Sequence, residues 1–259
     1  MNFYKSNVYL GKNTPVLFLN GAFCNSLIWE ENYLDYFLEN GFDCYTHDYI
    51  NTPSTSFDDY VYQILECIDA IGEPPVIVAH SMGAAVIQKL YSQYKIEFPA
   101  WVLIAPTPPR EYFKTALSIR LFNYSLYCNF VEMQLQGAQA IKPRNIKYAL
   151  FSSSFNVEKA KDYMPMICPM PDSVITSAIF LNIDDVDLQV NFPVLLQAAS
   201  NDVLVSGRCM DITKKTYNQK VTQYNCGHGI MLDRQWQSAA CDAVEFINQC
   251  IEVKLTDVA

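Results

Sequence analysis

Residues 76–83 read Val-Ile-Val-Ala-His-Ser-Met-Gly, an apolar run that ends on a serine between small residues. It passes at once into the helical pattern Ala84-Ala85-Val86-Ile87-Gln88-Lys89-Leu90-Tyr91. A β-branched run without polar alternation suits a strand buried on both faces of a sheet, and a helix that follows with no spacer forces the chain to reverse around one residue. Such a turn is a nucleophile elbow, in which strained backbone lifts the serine hydroxyl above the sheet and neighbours two positions away must be small. Ala79 and Gly83 meet that demand, with Ala79 standing where the full Gly-x-Ser-x-Gly pattern has glycine. The helix N-terminus behind Ser81 favours negative charge developing there.

A serine hydroxyl is a weak nucleophile until a base takes its proton and an acid holds that base in the right tautomer. The chain has three histidines. His80 lies inside the elbow with its side chain directed away from that of Ser81, and His47 ends another strand-like run. His228 remains, in the glycine-flanked loop Asn225-Cys226-Gly227-His228-Gly229 after the strand-like Lys220-Val221-Thr222-Gln223-Tyr224. Such a loop can carry an imidazole to a serine above a sheet edge. The acid belongs between serine and histidine in chain order. Asp202 fits best, because Pro193-Val194-Leu195-Leu196-Gln197-Ala198-Ala199 reads as a buried parallel strand and Ser200-Asn201-Asp202 follows at its carboxyl end, where catalytic groups gather in open α/β sheets. Asp184, Asp185 and Asp187 precede that strand and are the runners-up, read as a solvated connection.

The remaining requirement is a pair of backbone N–H groups aimed at the carbonyl oxygen as it gains charge. Met82, directly after the serine, supplies one. The other belongs to the loop after Pro15-Val16-Leu17-Phe18-Leu19, where Asn20-Gly21-Ala22-Phe23 offers a glycine turn with Ala22 as donor and Phe23 as the alternative.

With these residues identified, the chain resembles a bacterial member of the α/β-hydrolase superfamily. Asn20-Gly21-Ala22-Phe23, followed by Trp29, is similar to the family's His-Gly-Ala-Phe segment with its downstream tryptophan. Ala79 to Gly83, Ala105-Pro106-Thr107-Pro108-Pro109, Asn201-Asp202 and Gly227-His228-Gly229-Ile230-Met231-Leu232-Asp233 match further segments, so the resemblance covers nearly the whole chain. It implies the α/β-hydrolase fold, a mostly parallel central sheet flanked by helices with a helical cap insertion, and a serine esterase or lipase-like activity. Three departures stand out. Asn20 replaces the usual histidine of the oxyanion loop. Tyr49-Ile50-Asn51-Thr52-Pro53 replaces the usual glycine-containing turn after Asp48, and the residues before the oxyanion strand leave room for one leading strand rather than a hairpin.

A chain of 259 residues, 51% apolar and without a linker or repeat, can bury a large core as one α/β unit. The N-terminal Met1-Asn2-Phe3-Tyr4-Lys5-Ser6-Asn7 lacks the basic start and apolar core of a signal peptide, and no apolar run approaches membrane-spanning length. A cytoplasmic protein without an integral membrane segment is therefore expected. The nine cysteines are odd in number and show no paired Cys-x-x-Cys spacing, so they read as reduced thiols, with no metal site and no cofactor. A net charge of −9 disfavours nucleic acid as a partner. Oligomeric state is not legible.

Strand candidates fall at 15–19, 42–47, 76–80, 101–105, 193–199 and 220–224, with helix-like segments between most of them. Ser26 is placed to cap a helix ending near Asn40-Gly41, Ser56 to cap the next, and Asp233 to Cys250 reads as the final helix. The interval 106–190 breaks the rhythm and is too long for a loop. It is expected to form a cap on a core made of residues 1–105 and 191–259. Its aromatic and methionine pattern, Tyr112 to Met133 and Tyr163 to Met170, suggests amphipathic helices. Phe122 and Phe130 there, with Phe23 below, are the candidate pocket residues. Apolar walls with few charges suit an uncharged small or medium acyl or aryl ester as the small-molecule substrate. A thioesterase, amidase, carbon–carbon bond hydrolase, cofactor-free lyase or perhydrolase would use nearly the same residues, and a non-catalytic binding protein would normally lack the serine or histidine.

Overall fold

A computed structural model of the protein describes residues 1–8, 13–137 and 140–257, the last five of these in backbone only. Seven strands form one sheet: β1 (Asn2–Tyr4), β2 (Pro15–Leu19), β3 (Asp43–His47), β4 (Val76–His80), β5 (Trp101–Ile104), β6 (Val194–Ala199) and β7 (Val221–Tyr224). Their order is β1-β3-β2-β4-β5-β6-β7, with β1 antiparallel to β3 and every other pair parallel. The central run Val76-Ile77-Val78-Ala79 shows why the sequence reads as continuously apolar. Side chains alternate across a strand, so Val76 and Val78 enter one core layer while Ile77 and Ala79 enter the other.

The first layer holds α1 (Leu27–Glu30), α2 (Tyr33–Glu39) and α10 (Trp236–Asp257), whose Trp29, Phe37 and Ala243 pack with Phe18 and Val102. The second holds α3 (Phe57–Ile71), α4 (Met82–Tyr94) and α9 (Gly207–Tyr217), where Ile64, Ile87 and Tyr217 meet Leu17 and Leu103. Each such buried aliphatic or aromatic side chain contributes roughly 1.5–3 kcal/mol. α3 begins with a reciprocal capping box between Ser56 and Asp59 and ends on Gly72 at φ 85, a left-handed position that favours glycine.

Two helix starts differ from the sequence expectation. Ser26 makes no capping bond, because its N–H (2.5 Å) and hydroxyl (3.1 Å) both donate to Asp48, and the helix is split into α1 and α2. α10 begins at Trp236 because the buried Asp233 carboxylate instead accepts from the N–H groups of Ser152 (2.6 Å), Gly227 (2.7 Å) and Arg234 (2.7 Å).

Between β5 and β6 the chain forms α5 (Tyr112–Phe122), α6 (Tyr124–Gln136), α7 (Pro143–Leu150) and α8 (Asp172–Ile179), with short 3₁₀ turns at 159–161, 164–166 and 185–188. This insertion touches three loops at the carboxyl ends of the strands. Its 166–168 segment pairs with the loop after β2 through Asn25 N–H to Met166 O (2.9 Å) and Cys168 N–H to Phe23 O (3.0 Å). Tyr112 donates to Leu204 O after β6 (3.1 Å), and Gly229 N–H after β7 donates to Leu150 O (2.7 Å). No helix among the described residues is long and apolar enough to cross a membrane.

Candidate active site

Ser81 is the single residue between β4 and α4, and it sits at φ 50, ψ −116. That conformation costs a non-glycine residue about 1–3 kcal/mol and survives only where its surroundings enforce it. Here Ser81 N–H donates to Ile104 O (3.0 Å), while its carbonyl accepts from Ala84 (3.0 Å) and Thr107 (3.1 Å). Close approach explains the small residue two positions on. A Cβ on Gly83 would lie 2.6 Å from Leu19 O and 2.8 Å from Asn20 O, both backbone atoms at the end of β2. Gly83→Ala is therefore expected to destabilise the fold by about 3 kcal/mol or more, read as a lower denaturation midpoint in urea.

The turn at Gly21 is enclosed as tightly from the elbow side, since a Cβ on Gly21 would fall 2.7 Å from His80 Nδ1 and 3.2 Å from Ser81 Cβ. Asn20 holds that turn from behind. Fully buried, it accepts from Trp29 Nε1 (2.7 Å) and donates to His47 O (3.0 Å) and Asp48 Oδ1 (3.2 Å). The departure from histidine thus leaves the loop anchored by three hydrogen bonds. Ala22 and Phe23 follow, Phe23 at φ 59. Met82 opens α4, and its N–H is one of the four that a helix start leaves without an internal acceptor.

The loops after β6 and β7 extend the pairing of their strands, Ser200 N–H donating to Tyr224 O (2.9 Å) and Asn201 N–H to Cys226 O (3.1 Å). This brings Asp202 and His228 together. Asp202 Oδ2 lies 2.7 Å from His228 Nδ1, with the two side chains only 4% and 3% exposed. The other carboxylate oxygen, Oδ1, accepts from Leu204 and Val205 N–H, each at 2.8 Å. A carboxylate oxygen can only accept from an imidazole, so Nδ1 carries the proton and Nε2 keeps its lone pair. No hydrogen bond among the described residues joins Ser81 Oγ to His228. Such contacts in hydrolases often tighten only with substrate in place.

The glycines around His228 have a different use from the loop freedom read in the sequence. A Cβ on Gly227 would lie 2.4 Å from Phe151 C and 2.6 Å from Leu150 O, so the backbone of the insertion runs directly against this loop.

His80 is the residue that sequence reasoning passed over. It is 3% exposed, its ring centroid is 4.7 Å from that of His228, and its Nε2 lies 3.1 Å from His228 O. Because a carbonyl accepts, Nε2 is the protonated nitrogen. Burial, reinforced by the neighbouring His228, holds the His80 pKa well below that of a free histidine, so the ring stays neutral. The only sequence signal was its position next to Ser81, since its partner is 148 residues away.

The other candidates fall elsewhere. His47 bonds Gln63 Oε1 at 2.9 Å. Asp185 pairs with Arg110, which lowers its pKa, and accepts from Thr216 (2.8 Å); Asp187 lies 3.8 Å from Lys95. Phe23 borders a cavity of about 30 Å³ beside Gly21 and Met82. Phe130 stacks on Phe23 at 5.6 Å and does not line that cavity. Phe122 is 86% exposed and corrects the expectation that it lines a pocket. The physical reason is that α5 buries only Thr115 and turns Phe113, Leu117, Leu121 and Phe122 outward. All nine cysteines are free thiols, and no group of three or more histidine, cysteine or acidic side chains among the described residues could hold a metal.

This architecture is found in solved structures. An esterase from Exiguobacterium antarcticum superposes with a TM-score of 0.76 at 14% identity, covering 95% of this chain and 94% of that one. A bromoperoxidase from Bacillus anthracis gives 0.74 at 16% identity over 95% and 94%, and a monoacylglycerol lipase from Paleococcus ferrophilus 0.67 at 14% over 96% and 100%. At these identities the likeness is one of fold. No curated protein sequence matches the chain significantly. The family model described as "Alpha/beta hydrolase family" matches residues 16–240, from β2 through the elbow and the His228 loop into α10, and the chain belongs to the α/β-hydrolase family.

Proposed function

We propose that the protein is a serine hydrolase of carboxylic esters, with Ser81 as nucleophile, His228 as base and Asp202 as the acid that orients it. The observation that carries this reading is the buried Asp202–His228 pair at 2.7 Å, combined with a serine at φ 50 on the elbow, two strands from Asp202 and three from His228. Ser81 Oγ attacks the ester carbonyl carbon and gives its proton to His228 Nε2. The carbonyl oxygen, now an oxyanion, accepts from the Met82 and Ala22 N–H groups. When the tetrahedral adduct collapses, the C–O bond to the alcohol breaks and Nε2 returns the proton to the departing oxygen. Water then attacks the acyl-serine with its proton taken by Nε2, and collapse releases the carboxylic acid and restores the Ser81 hydroxyl.

The insertion 106–190 is the cap in this reading. Its contacts with Phe23, Leu204 and Gly229 support that role, because each belongs to a different loop of the site. Thioester, amide and carbon–carbon bond cleavage would use the same groups, so the discriminating experiment is a panel. Wild-type protein is given p-nitrophenyl esters, an acyl thioester and an anilide at equal concentration, beside labelling by a fluorophosphonate. Labelling of Ser81 with the highest kcat/KM on the esters supports the reading; no labelling of the native protein contradicts it.

His80 acts in this scheme by holding the His228 backbone. Replacement by phenylalanine keeps an aromatic ring and removes the donor, a loss of about 1 kcal/mol in the positioning of the loop. His80→Phe should lower kcat about five- to tenfold with KM little changed, and His80→Gln, which keeps an N–H donor, should recover part of it. Steady-state kinetics on p-nitrophenyl acetate reads both.

A further inference from the structure

One cavity adjoins Met82, a candidate oxyanion donor, and Gly21 and Phe23 on either side of Ala22, the other. Gly21 and Phe23 of the loop after β2, Met82 of α4 and Tyr60 of α3 form its floor, and Cys168 and Met170 of the insertion close it. None of the described residues in the loops carrying Asp202 and His228 lines it. That asymmetry says which part of a substrate it takes. The leaving oxygen must face His228 Nε2 to receive its proton, so a space that Met82 and the neighbours of Ala22 border, and that the His228 loop does not line, lies on the acyl side of the scissile carbonyl.

Its size is about 30 Å³. A single water requires about 10–15 Å³ on this measure, so the cavity accommodates two or three atoms of that size. The walls do not leave much slack. Tyr60 is 1% exposed and stacks on Tyr49 at 3.9 Å, with its hydroxyl donating to Asn51 Oδ1 at 2.7 Å. Cys168 N–H is bonded to Phe23 O (3.0 Å), and the neighbouring Ile167 bridges to Cys24. Met170 is 5% exposed and its carbonyl accepts from Gln134 of α6.

We infer that this cavity is the acyl subsite, that it admits acyl groups of no more than about four carbons, and that Cys168 and Met170 set this limit. The inference rests on the proposed ester hydrolysis at Ser81 and deepens it. Specificity then comes from the short segment 168–170 that pairs with the oxyanion loop, while the exposed aromatic face of α5 has no part in it. Met170 is the movable wall, since an unbranched thioether repacks more readily than the stacked tyrosines.

The test is kcat/KM for p-nitrophenyl acetate, butyrate, hexanoate and octanoate with wild type, Met170→Ala and Cys168→Leu, each also treated with a fluorophosphonate. Wild type should gain up to about fourfold per methylene as far as butyrate and then lose about tenfold or more by octanoate. Met170→Ala removes the Cγ, Sδ and Cε atoms and should move the peak to hexanoate. Cys168→Leu adds bulk to the same closing segment and should move it to acetate. Phenyl, ethyl and methyl acetates vary the alcohol side and should show no variant-dependent change in preference. A wild-type profile that climbs through octanoate overturns the inference, as do two variants that label normally yet keep the wild-type profile. Failure of wild-type Ser81 to label overturns the esterase reading instead, and the subsite with it.

Discussion

Ser81→Ala is expected to lower kcat on a p-nitrophenyl ester by roughly 10⁵- to 10⁶-fold, the loss seen when a serine nucleophile is removed from an otherwise complete triad. His80 is poorly placed to substitute, since its ring is 3% exposed and its Nε2 donates to His228 O. The fold should be untouched, because the backbone bonds of residue 81 to Ile104, Ala84 and Thr107 do not involve the side chain. Ser81→Gly sharpens the point. Glycine adopts φ 50 without the steric cost that serine bears there, so this variant should be equally inactive and more stable by about 1 kcal/mol. Activity with p-nitrophenyl acetate and melting by calorimetry would be compared across the three proteins. Substantial turnover in either variant removes Ser81 from the mechanism.

Asp202→Asn carries the second large effect, about 10⁴-fold in kcat, because the amide favours the wrong imidazole tautomer. Its Oδ1 still accepts from Leu204 and Val205 N–H, so the loop keeps its shape. The Nδ2 group, however, would donate towards His228 Nδ1 and drive the ring proton to Nε2, where it blocks base catalysis. Asp185→Asn, by contrast, should change kcat less than about twofold, since Asp185 faces Arg110 at a largely exposed site and surface pairs of this kind contribute little. Near-normal turnover in Asp202→Asn together with collapse in Asp185→Asn would move the acid to the connection before β6.

The difference between what could and could not be read from the sequence follows the range of the interactions. Ser81 and Gly83 were legible because strand, turn and helix are contiguous there, and the small residue is demanded by the motif itself. Asp202 and His228 were legible because each follows an apolar run, so that strand order alone places them at the same end of the sheet. His80 and Cys168 were not. Their partners lie far away in the chain, His228 O for His80 and Phe23 O of the loop after β2 for Cys168 N–H. Ser26 shows the converse failure: a good local capping signal loses to Asp48, which offers two charge-assisted acceptors. Phe122 was misjudged because aromatic content at helical spacing says that a helix has an apolar face, and not which way that face turns. The glycines beside His228 were correctly noticed and wrongly explained, since their cause is the backbone of residues 150–151 lying against them.

The most direct test of the triad reading is to quench the enzyme with acid during turnover of p-nitrophenyl acetate and map any covalent adduct by mass spectrometry. One acetyl group on Ser81, absent from Ser81→Ala and formed far more slowly in His228→Ala, is the predicted result. Product release with the acetyl group on another residue, or with adduct on Ser81 formed equally fast in His228→Ala, would contradict it.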